Sequence, residues 1–292
     1  MVSLKAVIDV AVPGMTFALL TAVGLNLTVA DFARVRQAPA VVAVGLFAPL
    51  VALPALALAL VWWLRPDPFV QAGVLLVAAC PIGGISNTYS YLAGASTALS
   101  VTLTGLSSAT AVFTIPAVTR VLERSVREPL GVDAPASLLA LQLVFILALP
   151  IGLGMAVRHR WPGWASARSN TVQRAAFLLL ALLLLLIVTV EHERIWSGLP
   201  DVVAFAGAFI VASFGAGWLA GAAVRASRAD RFTLAAEFAT RNVAVATAIA
   251  VTLLGRTEFA AFASVYFLTE LPLMLAAVAL WRRWQRFPAS PA

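Results

Sequence analysis

Charge is scarce in this chain. Of its 292 residues only 11% are Asp, Glu, Lys or Arg, against about 25% in an ordinary soluble domain. That excludes a water-soluble globule, and the apolar content excludes a disordered chain. Histidine occurs twice and cysteine once, at Cys80. One thiol makes no intramolecular disulfide, and no metal-type Cys/His spacing is present. Cys80 lies in an apolar run, where a packed core thiol is expected. His159 and His192 fall in loops. These residues supply no cluster of nucleophile, base and metal ligands, so the chain is expected not to be an enzyme. Nor is a cleavable signal pattern expected. The first apolar run, about Val7 to Leu27, is long enough to span and has no clear small-residue cleavage site.

What is present is apolar. Hydrophobic residues make up 62% of the chain, and mean hydropathy is +0.96. A spanning helix needs roughly 20 mostly apolar residues. Nine such runs occur, at about 8–28, 38–63, 69–94, 97–118, 136–157, 173–190, 200–223, 232–254 and 258–281. They are too long and continuous for barrel strands, which alternate over about ten residues. The expected fold is an all-α polytopic membrane protein, one integral unit over residues 1–292. The net charge of +7 reads as loop arginine, with no nucleic-acid partner, because the basic residues are scattered between apolar runs. Segments 29–37, 158–174, 225–231 and 282–286 hold most of the arginine. That places them and the C-terminus in the cytoplasm and the N-terminus outside, in the inner (plasma) membrane. Trp62, Trp63, Trp161, Trp164, Trp196, Trp281 and Trp284 lie near span ends and read as an aromatic belt. Lys5 and Asp9, four apart, read as a surface pair.

Two spans are interrupted. The third contains Pro81-Ile82-Gly83-Gly84-Ile85-Ser86-Asn87. Proline lacks an N–H, and glycine permits unusual backbone angles. A break here frees polar backbone groups that lipid cannot satisfy, so it must face protein or a water-filled cavity. The eighth span contains Glu237-Phe238-Ala239-Thr240-Arg241-Asn242. A charge at the membrane centre costs roughly 2.5–3.5 kcal/mol on insertion scales. Glu237 and Arg241 share a face on an unbroken helix and can pair there; a break changes that geometry. With one further helix in front, both interruptions fall fourth in a set of five. This predicts two inverted repeats, each with a discontinuous helix, the pattern of a secondary transporter.

Cys80-Pro81, Gly83-Gly84, Ser86-Asn87, Tyr91-Leu92-Ala93 and the run Ala98 to Thr104 resemble the fourth-helix signature of the bile acid:sodium symporter family. Gly24-Leu25-Asn26-Leu27-Thr28 with Asp31-Phe32 resembles the end of that family's second helix. Glu237 with Asn242 resembles its ninth-helix acid–amide motif. The resemblance implies a chain lacking the first helix of the ten-helix members. It implies a panel domain packed on a core domain, with two discontinuous helices crossing in the core. The core is expected at about 69–118 and 200–254, and the panel at about 8–63, 136–157 and 258–281. It further implies sodium-coupled transport of an organic anion, bile-acid-like or a small carboxylate. The first sodium site would use Ser86, Asn87, Ser100, Thr104 and Glu237. Substrate contact is expected at Gly83, Gly84, Asn87, Arg241 and Asn242. The family's second sodium site has glutamines where this chain has Pro49 and Arg241. Proline offers no side-chain oxygen, and arginine is a cation without an acceptor. The second sodium is therefore expected to be absent, leaving at most one, and no transition metal or other cofactor.

Three roles stay open for Arg241: a tethered replacement for the second sodium beside Glu237, a ligand for a substrate carboxylate or sulfonate, or a structural partner of Glu270. For Glu270, proton coupling is a further reading. Expected partners are the bilayer, the anion and sodium. The competing functions are a sodium-independent or proton-coupled carrier of the same fold and an arsenite- or auxin-type efflux carrier. A channel would need repeated filter loops, which are not visible.

Overall fold

The computed structural model describes residues 4–28, 34–123 and 141–285. Its elements are helical, with no β-strand among the described residues. They are α1 (Leu4–Leu25), α2 (Arg34–Gln37), α3 (Pro39–Leu64), α4 (Pro68–Ala79), α5 (Ser86–Ala93), α6 (Thr97–Glu123), α7 (Leu149–Arg160), α8 (Pro162–Val190), α9 (His192–Ser197), α10 (Leu199–Ala223), α11 (Arg228–Ala239), α12 (Val243–Ala248) and α13 (Thr257–Gln285). Short π-helical turns precede α7 at Val144–Ala148 and follow α12 at Ile249–Leu253. Six segments are long and apolar enough to cross a membrane, among them α3, α8, α10 and α13. The protein is a multi-pass, all-α membrane protein.

The two interrupted spans are each split. The third becomes α4 and α5, and the eighth becomes α11 and α12. Helix α8 begins at Pro162 rather than near 173. Pro162 sits in its first turn, where the missing N–H costs nothing. The apolar run marks only the part of that helix in lipid; the rest continues past Arg168 and Arg174. Asp31, Phe32, the loop 124–135 and the start of the fifth span lie outside the described residues, as do the side chains of Lys5 and Asp9.

Helix α1 packs on α7 and α8, whereas α10 packs on α11, α3 and α13, and α13 also on α4 and α5. Small residues permit the closest approaches. A Cβ at Gly217 would lie 2.5 Å from the Leu234 carbonyl oxygen, which fixes how α10 meets α11. At the α1–α7 contact, a Cβ on Gly24 would lie 2.1 Å from the Ile151 carbonyl, and one on Gly154 2.2 Å from that of Thr21. Main chain cannot yield as a side chain does. Gly24→Ala and Gly154→Ala are therefore expected to cost about 3 kcal/mol, the upper end of ordinary overpacking. Gly152→Ala on the same helix meets nothing within 4 Å and should be near neutral. Thermal unfolding of the purified protein distinguishes them.

Six of the seven tryptophans read as a belt are exposed, but Trp281 is buried. Its ring lies 5.0 Å from Phe232 and 5.9 Å from Trp218, centroid to centroid. It faces α11 and α10 and belongs to the core.

Candidate ion and substrate site

The two helix breaks meet. Cys80 ends α4 in extended backbone, as expected before Pro81. Thr240 ends α11 the same way. The extended residues pair as a short antiparallel bridge between Ile82 and Arg241. Gly83 N–H donates to the Thr240 carbonyl at 3.1 Å, and Asn242 N–H donates to that of Pro81 at 2.8 Å. Each break thus satisfies the other's freed backbone groups. Side chains satisfy more. Ser107 Oγ accepts from Ile82 N–H at 3.1 Å, and the Tyr266 hydroxyl donates to the Ala239 carbonyl. Asn242 Oδ1 caps α12 by accepting from Val245 N–H. Gly83 is obligatory here, because a Cβ would lie 2.7 Å from the Arg241 carbonyl oxygen.

Beside the crossing, α5, α6 and α11 bring five side chains together. Ser100 Oγ lies 2.8 Å from Asn87 Oδ1 and also against Glu237 Oε1. Thr104 Oγ1 lies 3.3 Å from Asn87 Oδ1, 3.5 Å from Glu237 Oε2 and 3.5 Å from Ser86 Oγ. Ser86, Ser100, Thr104 and Glu237 are buried. A hydroxyl has one proton, so Ser100 serves only one of its two acceptors at a time. The group therefore has more lone pairs than protons, and its one formal charge is negative. Hard oxygen donors of this kind fit a monovalent alkali cation. Among the described residues no cluster of three or more His, Cys, Asp or Glu side chains occurs, so a transition-metal site is not on view.

A cavity of about 270 Å³ adjoins the group. Gly83, Gly84, Asn87, Arg241 and Asn242 all line it, together with Thr104. Leu19, Val23, Phe177, Leu180 and Phe267 form an apolar wall, while Asn26 and Gln173, both exposed, mark its mouth. Arg241 is 4% exposed. Its guanidinium donates to the Cys80 carbonyl and, at 3.5 Å, to that of Glu237. Both carbonyls belong to the C-terminal ends of broken helices, the negative ends of their dipoles. Its Nε has no partner. No ion pair joins Arg241 to the carboxylate of Glu237 or Glu270.

The family described as the Sodium Bile acid symporter family matches residues 12–197. The chain belongs to this family. The match contains the first break and stops short of Glu237, so the second break rests on its own geometry. A probable chloroplastic sodium/metabolite cotransporter of rice (Oryza sativa subsp. japonica) is 30% identical over 154 residues, 53% of this chain and 35% of the rice protein. An uncharacterized sodium-dependent transporter of Bacillus subtilis is 36% identical over 85 residues, 29% of this chain and 26% of its own length. A rat sodium-dependent organic anion transporter is 30% identical over 125 residues, 43% and 34%. The chain thus spans about a third or less of the length of these relatives.

The two positions expected from the resemblance to depart from the symporter pattern come together in space. Pro49 and Arg241 line one small cavity with Cys80, Pro81 and Ser107. The guanidinium occupies that side of the crossing through its contact with the Cys80 carbonyl. Cys80 itself is buried and unpaired. Sequence reasoning missed Tyr89 and Thr240, the polar neighbours of Glu270. Thr240 directly precedes Arg241, but nothing local signals that the extended backbone there turns it away from its neighbour.

Proposed function

We propose that the protein is a secondary transporter that moves a small organic anion by alternating access, coupled to one sodium ion. Ser86, Asn87, Ser100, Thr104 and Glu237 hold the sodium, and Arg241 stands in for a second cation. The observation that carries this is shared membership. Asn87 and Thr104 belong both to the oxygen cluster and to the cavity wall. An ion that orders these two side chains shapes the anion's site, which is what coupling requires. Arg241 supplies the cavity's positive charge, with Asn242 and the N-terminus of α5 beside it. A volume of about 270 Å³ is at the low end for ligand pockets and favours a small carboxylate or sulfonate over a steroid. The rice and rat relatives are named for sodium with a metabolite and for sodium with an organic anion, which agrees with this reading.

Alternating access needs two bodies. In the division we favour, α1, α7 and α8 form the smaller body, and the remaining long helices travel with the crossing. That assigns α3 and α13 to the crossing side rather than to the panel expected from sequence. With the C-terminus in the cytoplasm, the mouth at Asn26 and Gln173 faces the cytoplasm.

The test is uptake into proteoliposomes of a panel of radiolabelled monocarboxylates, sulfonates and a conjugated bile acid. Uptake of a small anion is expected only with an inward sodium gradient, with a Hill coefficient for sodium near one. Arg241→Gln is expected to weaken anion affinity at least tenfold, since a hydrogen bond to a charged group contributes about 1.5–3 kcal/mol. Uptake indifferent to sodium, or transport of arsenite alone, would overturn the proposal.

A further inference from the structure

Glu270 has no part in the sodium cluster or the cavity wall. It sits near the middle of α13, wholly buried at 0% exposure, and neither carboxyl oxygen has a hydrogen-bond partner. The Tyr89 hydroxyl of α5 and the Thr240 hydroxyl at the break are its polar neighbours, and both are unpartnered as well. Arg241 is the charged group that acts on it, and the neutral Tyr266 hydroxyl is a further polar group nearby. Helix α4 has no charged residue, and α10 carries only Asp201, at its far end. Three unpartnered oxygen-bearing side chains therefore converge on one buried point, with a guanidinium near it but not paired to it.

A carboxylate buried without a directly paired cation costs several kcal/mol. Such a group must bring a positive charge with it. A second sodium is a poor candidate, because the fixed charge of Arg241 repels it. A proton is the cation that fits. A neutral carboxyl donates one hydrogen bond and accepts others, and hydroxyls can do both.

We propose that Glu270, walled by Tyr89 and Thr240, is a proton-binding site whose occupancy sets whether the charge of Arg241 is free for an anion. Taking up one proton converts the carboxylate to a carboxylic acid. Arg241 is then the uncompensated cation at the crossing, and an anion in the adjoining cavity is favoured. When the proton leaves, the carboxylate compensates Arg241 from behind and the anion is released more readily. Phe267, one turn earlier on α13, lines the cavity with Arg241, so the site lies a single turn from the cavity wall. By linkage, the anion must tighten the hold on the proton as much as the proton tightens the hold on the anion.

This rests on the anion reading of the cavity, but its test needs no substrate. Infrared spectra of the purified, ligand-free protein are titrated from acid to alkaline solution. The carbonyl stretch of a protonated carboxylic acid is expected in the wild type, lost in Glu270→Gln and kept in Glu270→Asp. Tyr89→Phe and Thr240→Val should shift its frequency by removing a neighbouring hydroxyl dipole. Arg241→Gln should let the band persist to higher pH, because a nearby positive charge that favours the carboxylate is gone. If Glu270→Gln, Tyr89→Phe and Thr240→Val all leave the carboxylic-acid region of the wild type unchanged, the proposal is overturned. If Arg241→Gln leaves the titration unchanged, the link to the anion fails. Sodium-driven uptake is measured separately, so the two proposals fail independently.

Discussion

Glu237→Ala is expected to abolish the response of this protein to sodium. An ion that binds only the folded form stabilises it by mass action, by about 2.7 kcal/mol at a concentration a hundredfold above its dissociation constant. A thermal-shift titration of the purified protein, sodium against potassium at fixed ionic strength, reads this directly. Glu237 supplies the only formal charge in the oxygen cluster and approaches both Ser100 and Thr104. Without it the ion would face neutral hydroxyls and one amide, with the guanidinium of Arg241 nearby. The sodium-specific shift should vanish, and sodium-driven uptake with it. Asp201→Asn, at the exposed start of α10, should leave the shift intact. A shift that survives Glu237→Ala would place sodium elsewhere and remove the basis for one-ion coupling.

Gly83→Val should be the most damaging single substitution at the crossing, and Gly84→Ala next to it should be mild. At Gly83 a Cβ would meet the Arg241 carbonyl carbon and oxygen at 3.0 and 2.7 Å. The side chain would wedge the two breaks apart at the point where they exchange hydrogen bonds. Losing those bonds leaves buried N–H and C=O groups unsatisfied, at about 1–3 kcal/mol each, in addition to the overpacking. At Gly84 the nearest atom is Val23 Cγ2 at 3.6 Å, an ordinary contact. The expected result is loss of folded protein, or of the sodium shift, for Gly83→Val. For Gly84→Ala, stability should change by less than about 1 kcal/mol. Equal tolerance at both positions would mean that the backbone pairing contributes little.

Much of this architecture is legible from sequence, for local reasons. Pro81 cannot donate a hydrogen bond wherever it lies, so a break near it follows directly. The family resemblance, not any spacing, groups Ser86, Asn87, Ser100 and Thr104 with Glu237, and the structure gathers the five: Ser100 and Thr104 each approach Asn87 and Glu237, and Ser86 approaches Thr104. Directions beyond a break are not local. The i, i+4 geometry that would pair Glu237 with Arg241 assumes a continuous helix. Thr240 is extended instead, and the guanidinium turns to backbone carbonyls. The polar surroundings of Glu270 come from α5 and from the break, far away in sequence, so no periodicity announces them. The position of Trp281 near a helix end was equally uninformative, because a belt residue and a core residue of α13 differ only in which neighbour they face.

The mutual pairing of the two breaks also bears on how such a chain can change over generations. A substitution that restored continuous helix at Pro81 would withdraw the Pro81 carbonyl from Asn242 and the Gly83 amide from Thr240. The second break would then hold buried polar backbone without the partners that now satisfy it. Repair of either interruption alone is thus worse than keeping both. Two segments some 160 residues apart are bound to a common fate, inherited together or lost together.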